Sequence, residues 1–273
     1  MSAVTSTRSR TKTGGIVRNA GINYGLLIAL LVAWQIVTMA APSPFFPTPL
    51  TIAERFWAMF MVAPTGEVLL TQPVTQDLIP TVVRMLLGFL VGSFVGVLMG
   101  VWSGMSRVFR GLTNWIVEFV RAIPATATLP LFILLVGGTD GMKVAFIAYG
   151  ITWYVMLNTA QGVRAIEPTM LLMGRAYRKT RSQQMLTIVL PATLPHIFTS
   201  LRLATAGSII LAIASEFLAS TNGIGYQLQI QTALFNMPAM WSWMVFLALF
   251  GLMVNVLLEL LERKLLAWHR MSH

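Results

Sequence analysis

The feature that most constrains this chain is a succession of apolar runs, each about as long as a bilayer is thick. They cover residues 22–41, 78–102, 115–136, 143–161, 197–219 and 238–261. A helix needs roughly 20 apolar residues to cross the ~30 Å hydrocarbon layer. Only 10% of the 273 residues are charged, 56% are hydrophobic and mean hydropathy is +0.74, whereas soluble domains carry about 25% charged residues. An all-α membrane protein of about six transmembrane helices is expected. It forms one domain, residues 21–264, between polar tails at 1–20 and 265–273.

The net charge of +10 could indicate nucleic acid, but the basic residues sit at the ends of apolar runs and form no face. They follow the positive-inside rule. With the N-terminus inside, the N-terminal tail holds four basic residues, the 2–3 loop two, the 4–5 loop five and the C-terminal segment three. That is 14 of the 19, against Arg55 and Lys143 outside. Both termini are thus placed in the cytoplasm, and nucleic-acid binding is not expected. A basic start, an apolar run and Met39-Ala40-Ala41 also fit a signal peptide. The run is longer than the 7–15 residues of such a segment, which favours a retained first span.

The second run carries Gly88, Gly92, Gly96 and Gly100 at i+4 spacing, one helical face on which another helix can approach closely. The third is interrupted by Pro124 and Pro130, so it is expected to bend and to be enclosed by protein. Glu118 and Arg121 lie three residues apart, where they can neutralise one another. Between spans, 42–49 is proline-rich and extended, and 50–62 reads as an interfacial helix with Phe56, Trp57 and Phe60 at headgroup depth. Residues 220–237 read as a polar loop without charge. Glu216 is an acid inside a span, hence costly and a candidate for the pathway. Arg84 and Arg202 are expected to snorkel or to cap packing contacts.

One polar island breaks the pattern. Residues 163–196, with Arg164, Arg175, Arg178, Lys179 and Arg181, end in Leu190-Pro191 and Leu194-Pro195. Proline cannot continue a helix, so a short helix, a bend and a new span are expected. Such an element either seats in a groove on a partner or lies on anionic lipid; periodicity alone leaves both open.

Several chemistries find no support. There is no GxxxxGK[ST] loop to cradle ATP, no HExxH, no GxSxG and no cysteine. A membrane enzyme lacks a catalytic constellation. A stand-alone channel or secondary transporter predicts internal repeats and a mid-membrane coupling acid, and neither is evident.

Taken in order and spacing, a set of short motifs resembles the permease subunits of bacterial binding-protein-dependent ABC importers, in the sulfonate, taurine and nitrate branch. The motifs are Arg84-Met-Leu-Leu-Gly-Phe89, Arg121-Ala-Ile-Pro124, Pro130-Leu-Phe-Ile-Leu134, Leu157-Asn-Thr159, Gly162-Val-Arg164, Leu190-Pro-Ala-Thr-Leu-Pro195, Gly223-Ile-Gly-Tyr226 and Leu260-Leu-Glu-Arg263. They run through nearly the whole chain.

The family's cytoplasmic loop opens with Glu-Ala-Ala, has Gly four residues later and closes in Leu-Pro. Counted back from Leu190-Pro191, those positions here are Leu172, Met173, Gly174 and Arg178. The resemblance therefore implies an ATPase-coupling loop containing Leu172, Met173, Gly174, Arg175, Ala176, Tyr177, Arg178, Leu190 and Pro191. The departures at Leu172 and Arg178 put its docking geometry in question, since the Gly is expected to serve positive φ or close approach.

The resemblance also implies a type I importer permease fold in the bacterial inner membrane, with no catalysis and no metal or cofactor of its own. Implied partners are ATP-binding cassette subunits that bind ATP and Mg, a second or paralogous permease, a periplasmic or lipid-anchored binding protein and the bilayer. Trp153, Asn158 and Glu216 are the candidates for lining the pathway.

Overall fold

The computed structural model describes residues 13–62 and 73–265, with side chains from residue 25 onward except those of 263 and 265. The expectations for the extreme N-terminus, for part of the 42–77 connector and for the C-terminal tail lie outside the described residues.

Three long helices form the frame: α3 (Ile79–Met105), α6 (Asp140–Arg164) and α9 (Leu190–Ala219). The glycine spacing on α3 sets their register. A Cβ at Gly88, Gly92, Gly96, Gly100 or Gly104 would stand 2.5–2.8 Å from Ile147, Ile151, Val155, Thr159 or Val163 of α6. Each pair is 59 residues apart, so α3 and α6 run parallel with one residue type, the smallest, at every crossing. Gly104 extends the four-glycine face by one turn. The α9 helix runs the other way, with Gly162 against His196, Gly150 against Leu211 and Gly138 against Ala219. Met85, Phe146, Ile147, Ile151 and Val155 are buried in the core between them.

Parallel α3 and α6 oblige the chain between them to return the length of the bundle, about 40 Å for a 27-residue helix. That return is α4 (Arg107–Ala122), a 3-10 turn at Ala125–Thr128, and α5 (Leu129–Val136). The expected bend is there and is severe, 88° between α4 and α5. The expected enclosure is not supplied by this chain: Leu134 and Leu135 of α5 are 81% and 73% exposed. Glu118 accepts from Asn114 Nδ2 at 3.4 Å rather than from Arg121.

A second core joins α2 (Pro49–Phe60), α10 (Ile224–Ala233) and α11 (Met237–Leu265) through Phe60, Ile224 and Trp243. Phe60 stacks on Phe246 with ring centroids 4.7 Å apart, and Phe56 packs against both. Of the three aromatics expected at headgroup depth, only Trp57 is exposed. The segment expected to be a loop, 220–237, contains α10, started by Gly223 at φ +112°. The first helix, α1 (Thr13–Ala40), leans on this layer through Trp34, 5.3 Å from Trp241.

Among the described residues, Val74–Met105, Arg181–Ala219 and Met237–Glu262 are long and apolar enough to cross a membrane, and the bent α4–α5 pair makes a fourth if it is one span. The other two expected spans coincide with α1 and α6. Much of α6 is buried, with Phe146, Ile147, Ile151, Val155 and Met156 in the interior against α3 and α9, so this helix needs less apolar surface for lipid.

Between the expected loop and the fifth span the structure differs from the sequence expectation. The helix does not break at Leu190-Pro191; one helical stretch runs from Arg181 to Ala219, through Pro191 and Pro195. It includes α8 (Arg181–Gln184) and a π-helical turn at Met185–Val189, where Leu190 N donates to Met185 O. Proline has no N–H and its ring crowds the carbonyl four residues back; a wider turn just before it relieves both and the axis continues. The same arrangement precedes Pro80, with a π turn at Val74–Leu78.

Candidate functional site

At one end of the bundle, charged side chains from three helices close on one another. The π turn before α3 and the first two turns of α3 place Asp77, Thr81 and Arg84 on one face, at i, i+4 and i+7. Glu216 of α9, wholly buried, accepts from Thr81 Oγ1 at 2.8 Å, Arg84 Nη1 at 2.8 Å and Gly225 N at 3.0 Å. Arg84 reaches Asp140 Oδ1 at 2.8 Å and Asn222 Oδ1 at 2.7 Å with Nη2. Asp77 accepts from Gly223 N at 2.8 Å and Gln227 Nε2 at 2.9 Å. Lys143 donates to Asp140 and Ser220.

This clasp explains Gly223-Ile-Gly-Tyr226. A side chain at Gly223 would collide with the Glu216 carboxylate, and one at Gly225 with the Ile213 carbonyl. Burial of two charges is tolerable only where geometry and further hydrogen bonds compensate desolvation, and here each charge has several partners. Arg84 therefore does not snorkel, one of the two roles expected of it. Arg202 does reach outward, to Glu262. Asp140 is the exposed member of the clasp. Partial burial alone pushes its carboxyl up, but the Lys143 ammonium and Arg84 guanidinium outweigh that and hold it below its ordinary range.

The opposite end carries the polar island. Leu172 to Ala176 lie on α7 (Pro168–Ala176), Tyr177 and Arg178 form its C-terminal turn, and Leu190 and Pro191 begin α9. Lys179 N donates to Gly174 O at 3.0 Å and Arg178 N to Arg175 O at 2.9 Å, the pair of bonds of a Schellman stop. Arg178 sits at the left-handed position, φ +53°, the first of the two roles, positive φ or close approach, expected of the family's Gly. Thr180 and Gln183 then make a reciprocal capping box that starts α8.

Gly174 is where α7 rests on the π turn; a Cβ there would stand 2.7 Å from Ile188 Cδ1. Leu172, Met173 and Tyr177 are 58%, 61% and 81% exposed. A groove of about 410 Å³ between α7 and the base of α9 is lined by Met170, Met173, Tyr177, Lys179, Ile188 and Pro191.

Of the three residues expected to line a pathway, Glu216 is enclosed in the clasp in this conformation. Asn158 is half-buried and donates to Tyr154 O at 2.9 Å. Trp153 lines a cavity of about 200 Å³ at the α4–α5 break, with Arg121, Pro124 and Tyr149. No group of three or more His, Cys, Asp or Glu suited to a metal is present among the described residues. Asp77, Thr81, Asn222 and Gln227 were not singled out from the sequence. The i, i+4, i+7 spacing of Asp77, Thr81 and Arg84 was the available signal.

The family described as the binding-protein-dependent transport system inner membrane component matches residues 92–267. The chain belongs to this family. It is thus the membrane permease subunit of an ABC importer, located in the inner membrane. It is 26% identical over 254 residues to the taurine transport system permease protein TauC of Escherichia coli K12, covering 92% of this chain and 91% of that protein. It is 27% identical over 246 residues to the putative aliphatic sulfonates transport permease protein SsuC of Bacillus subtilis 168, covering 89% and 86%. The nitrate import permease protein NrtB of Synechococcus elongatus is 23% identical over 199 residues, covering 72% and 71%.

Among solved structures, the inward-facing MetNI methionine ABC transporter shares the fold with TM-score 0.53 at 20% identity, covering 68% of this chain and 91% of that one. An amino acid ABC transporter solved with histidines gives TM-score 0.51 at 16% identity, covering 79% and 96%.

Proposed function

We propose that this permease forms, with a second copy or a paralogous permease, a pathway for a small anionic solute of the sulfonate or nitrate kind. A binding protein delivers the solute to the outer side, and separate ATPase subunits bind ATP and magnesium. In this reading six spans place both termini and the α7 segment in the cytoplasm, and the clasp at the outer end. The chain itself catalyses no reaction.

The observation that carries the reading is the build of α7. Its base is fixed by Gly174 on Ile188 and by a Schellman stop, while Leu172, Met173 and Tyr177 are exposed. A short rigid helix with an apolar exposed face suits docking into a groove on a partner, and it can pass motion to α9 through the continuous helix from Arg181. Exposed α5 side chains suit burial against the second permease. ATP binding then shifts the population between two states by favouring one of them.

Affinity purification of the chain from its native membrane, with mass spectrometry of what accompanies it, tests this. An ATPase subunit and a binding protein are expected. Recovery of the chain without any ATPase would favour a stand-alone channel or secondary transporter.

A further inference from the structure

A further cavity at the α7 end of the bundle, of about 900 Å³, plays no part in the docking groove. Its walls include Met105 and Ser106 at the end of α3, Val163 at the end of α6, Leu171 and Arg175 of α7, and Arg181 of α8. Leu171 and Arg175 stand at i and i+4 on α7, a different face from the Met170 and Met173 that line the groove.

The charge here is of one sign. Arg175 and Arg181 line the cavity and no acidic side chain does so. Neither guanidinium has an ion-pair or hydrogen-bond partner among the described residues. Ser106 caps α4, its hydroxyl accepting from Phe109 N at 3.1 Å, so the positive end of that helix dipole lies on the same wall. A concavity lined by one sign of charge concentrates counter-ions.

Depth selects among anions. Met105 is the last residue of one span-length helix, Val74–Met105, and Arg181 the first of another, Arg181–Ala219. The cavity thus stands where the apolar bundle ends. Trp102, three residues before Met105, is exposed and meets Phe109 edge-on at 5.9 Å, a pair suited to headgroup level. Basic pockets between spans at that level suit phospholipid headgroups. Guanidinium forks match phosphate oxygens, while Met105, Val163 and Leu171 offer apolar wall. A free phosphate leaves that wall uncovered and most of the volume empty.

We infer that this cavity is a site for an anionic phospholipid, its phosphate held by Arg175 and Arg181 and its glycerol and first methylenes against Met105, Val163 and Leu171. Arg175 belongs to α7, and Arg181 begins the helical stretch that continues into α9, so the bound headgroup ties the two together. A choline headgroup would set its ammonium against two guanidiniums. The site goes beyond the importer reading and needs no ATPase.

The test is native mass spectrometry of the full chain in detergent, titrated with phosphatidylglycerol, with phosphatidylcholine and inorganic phosphate as comparisons. One phosphatidylglycerol per chain is expected to bind in preference to phosphatidylcholine, and inorganic phosphate at the same concentration is expected not to displace it. Arg175→Gln with Arg181→Gln, both at exposed positions, is expected to lose at least about tenfold in affinity for that lipid. Arg107→Gln with Arg110→Gln removes the same charge from α4 outside the cavity and is expected to stay near the native affinity. Equal losses in the two double variants would show attraction to basic charge at large. Displacement by inorganic phosphate would assign the cavity to the free ion, and equal binding of the two lipids would show that the headgroup is not read. Each of these overturns the site and leaves the importer reading standing, because that reading is judged by ATPase association.

Discussion

Arg84 Nη1 lies 2.8 Å from Glu216 Oε1 with both side chains out of solvent, and this pair ties the start of α3 to the end of α9 across 132 residues of sequence. Each charge depends on the other. Removing one partner of a buried pair costs about 3–5 kcal/mol, whereas replacing both with apolar groups costs far less. Glu216→Ala is therefore expected to lower the melting temperature of the purified chain sharply, and Arg84→Met with Glu216→Leu to recover part of the loss. Additive losses in the double variant would show that the pair is not coupled.

The α3–α6 ladder makes a prediction about size alone. At Gly92 and Gly100 an added methyl would stand 2.6 Å from the backbone carbonyls of Ala148 and Met156, which cannot swing aside. Ala at either position should cost about 1–3 kcal/mol. Gly111 on α4 has open space around it, so Gly111→Ala should be neutral or stabilising by up to about 1 kcal/mol. Thermal unfolding of the three variants in one detergent separates these outcomes.

Arg178 holds a left-handed conformation that disfavours a residue with a Cβ by roughly 1–2 kcal/mol. Arg178→Gly is expected to stabilise the α7 stop and to keep or improve ATPase association. Arg178→Val, branched at Cβ, should weaken both. A loss of association in Arg178→Gly would mean that the guanidinium itself is part of the docking surface.

Asp140 supplies a pH dependence. Its carboxyl is held below the ordinary aspartate range by Lys143 and Arg84. A depressed folded-state value means that the stabilisation is present above the ordinary carboxylate range and is lost as pH falls through the folded value. Asp140→Asn should melt below the native chain near neutral pH, and the two should converge at acidic pH. A constant gap down to pH 3 would contradict the assignment.

Apolar length and glycine spacing made the frame legible: Gly88 to Gly100 set the α3–α6 face, while the family's Gly left positive φ and close approach both open at position 178. What was not legible depends on contacts between distant residues. Arg84 alone looks like a snorkelling cation, because Glu216, Asp140 and Asn222 join it only in the folded bundle. Residues 220–237 read as a loop for want of charge and apolar period, yet Gly223 and Gly225 fold them onto Glu216 and start α10. Pro191 suggested a bend, and the π turn that absorbs it leaves no simple mark in composition.

If α7 couples the permease to ATP, it docks on an ATPase subunit. The chain has no cysteine, so Met173→Cys, at a position 61% exposed on α7, introduces a single thiol. Photo-cross-linking from that thiol, labelled with maleimide–benzophenone, in the assembled complex tests the claim most directly. The expected result is a covalent adduct with the ATPase subunit whose yield changes when ATP is added. A thiol that reacts freely with a simple maleimide yet forms no adduct with the ATPase, with or without ATP, would contradict it.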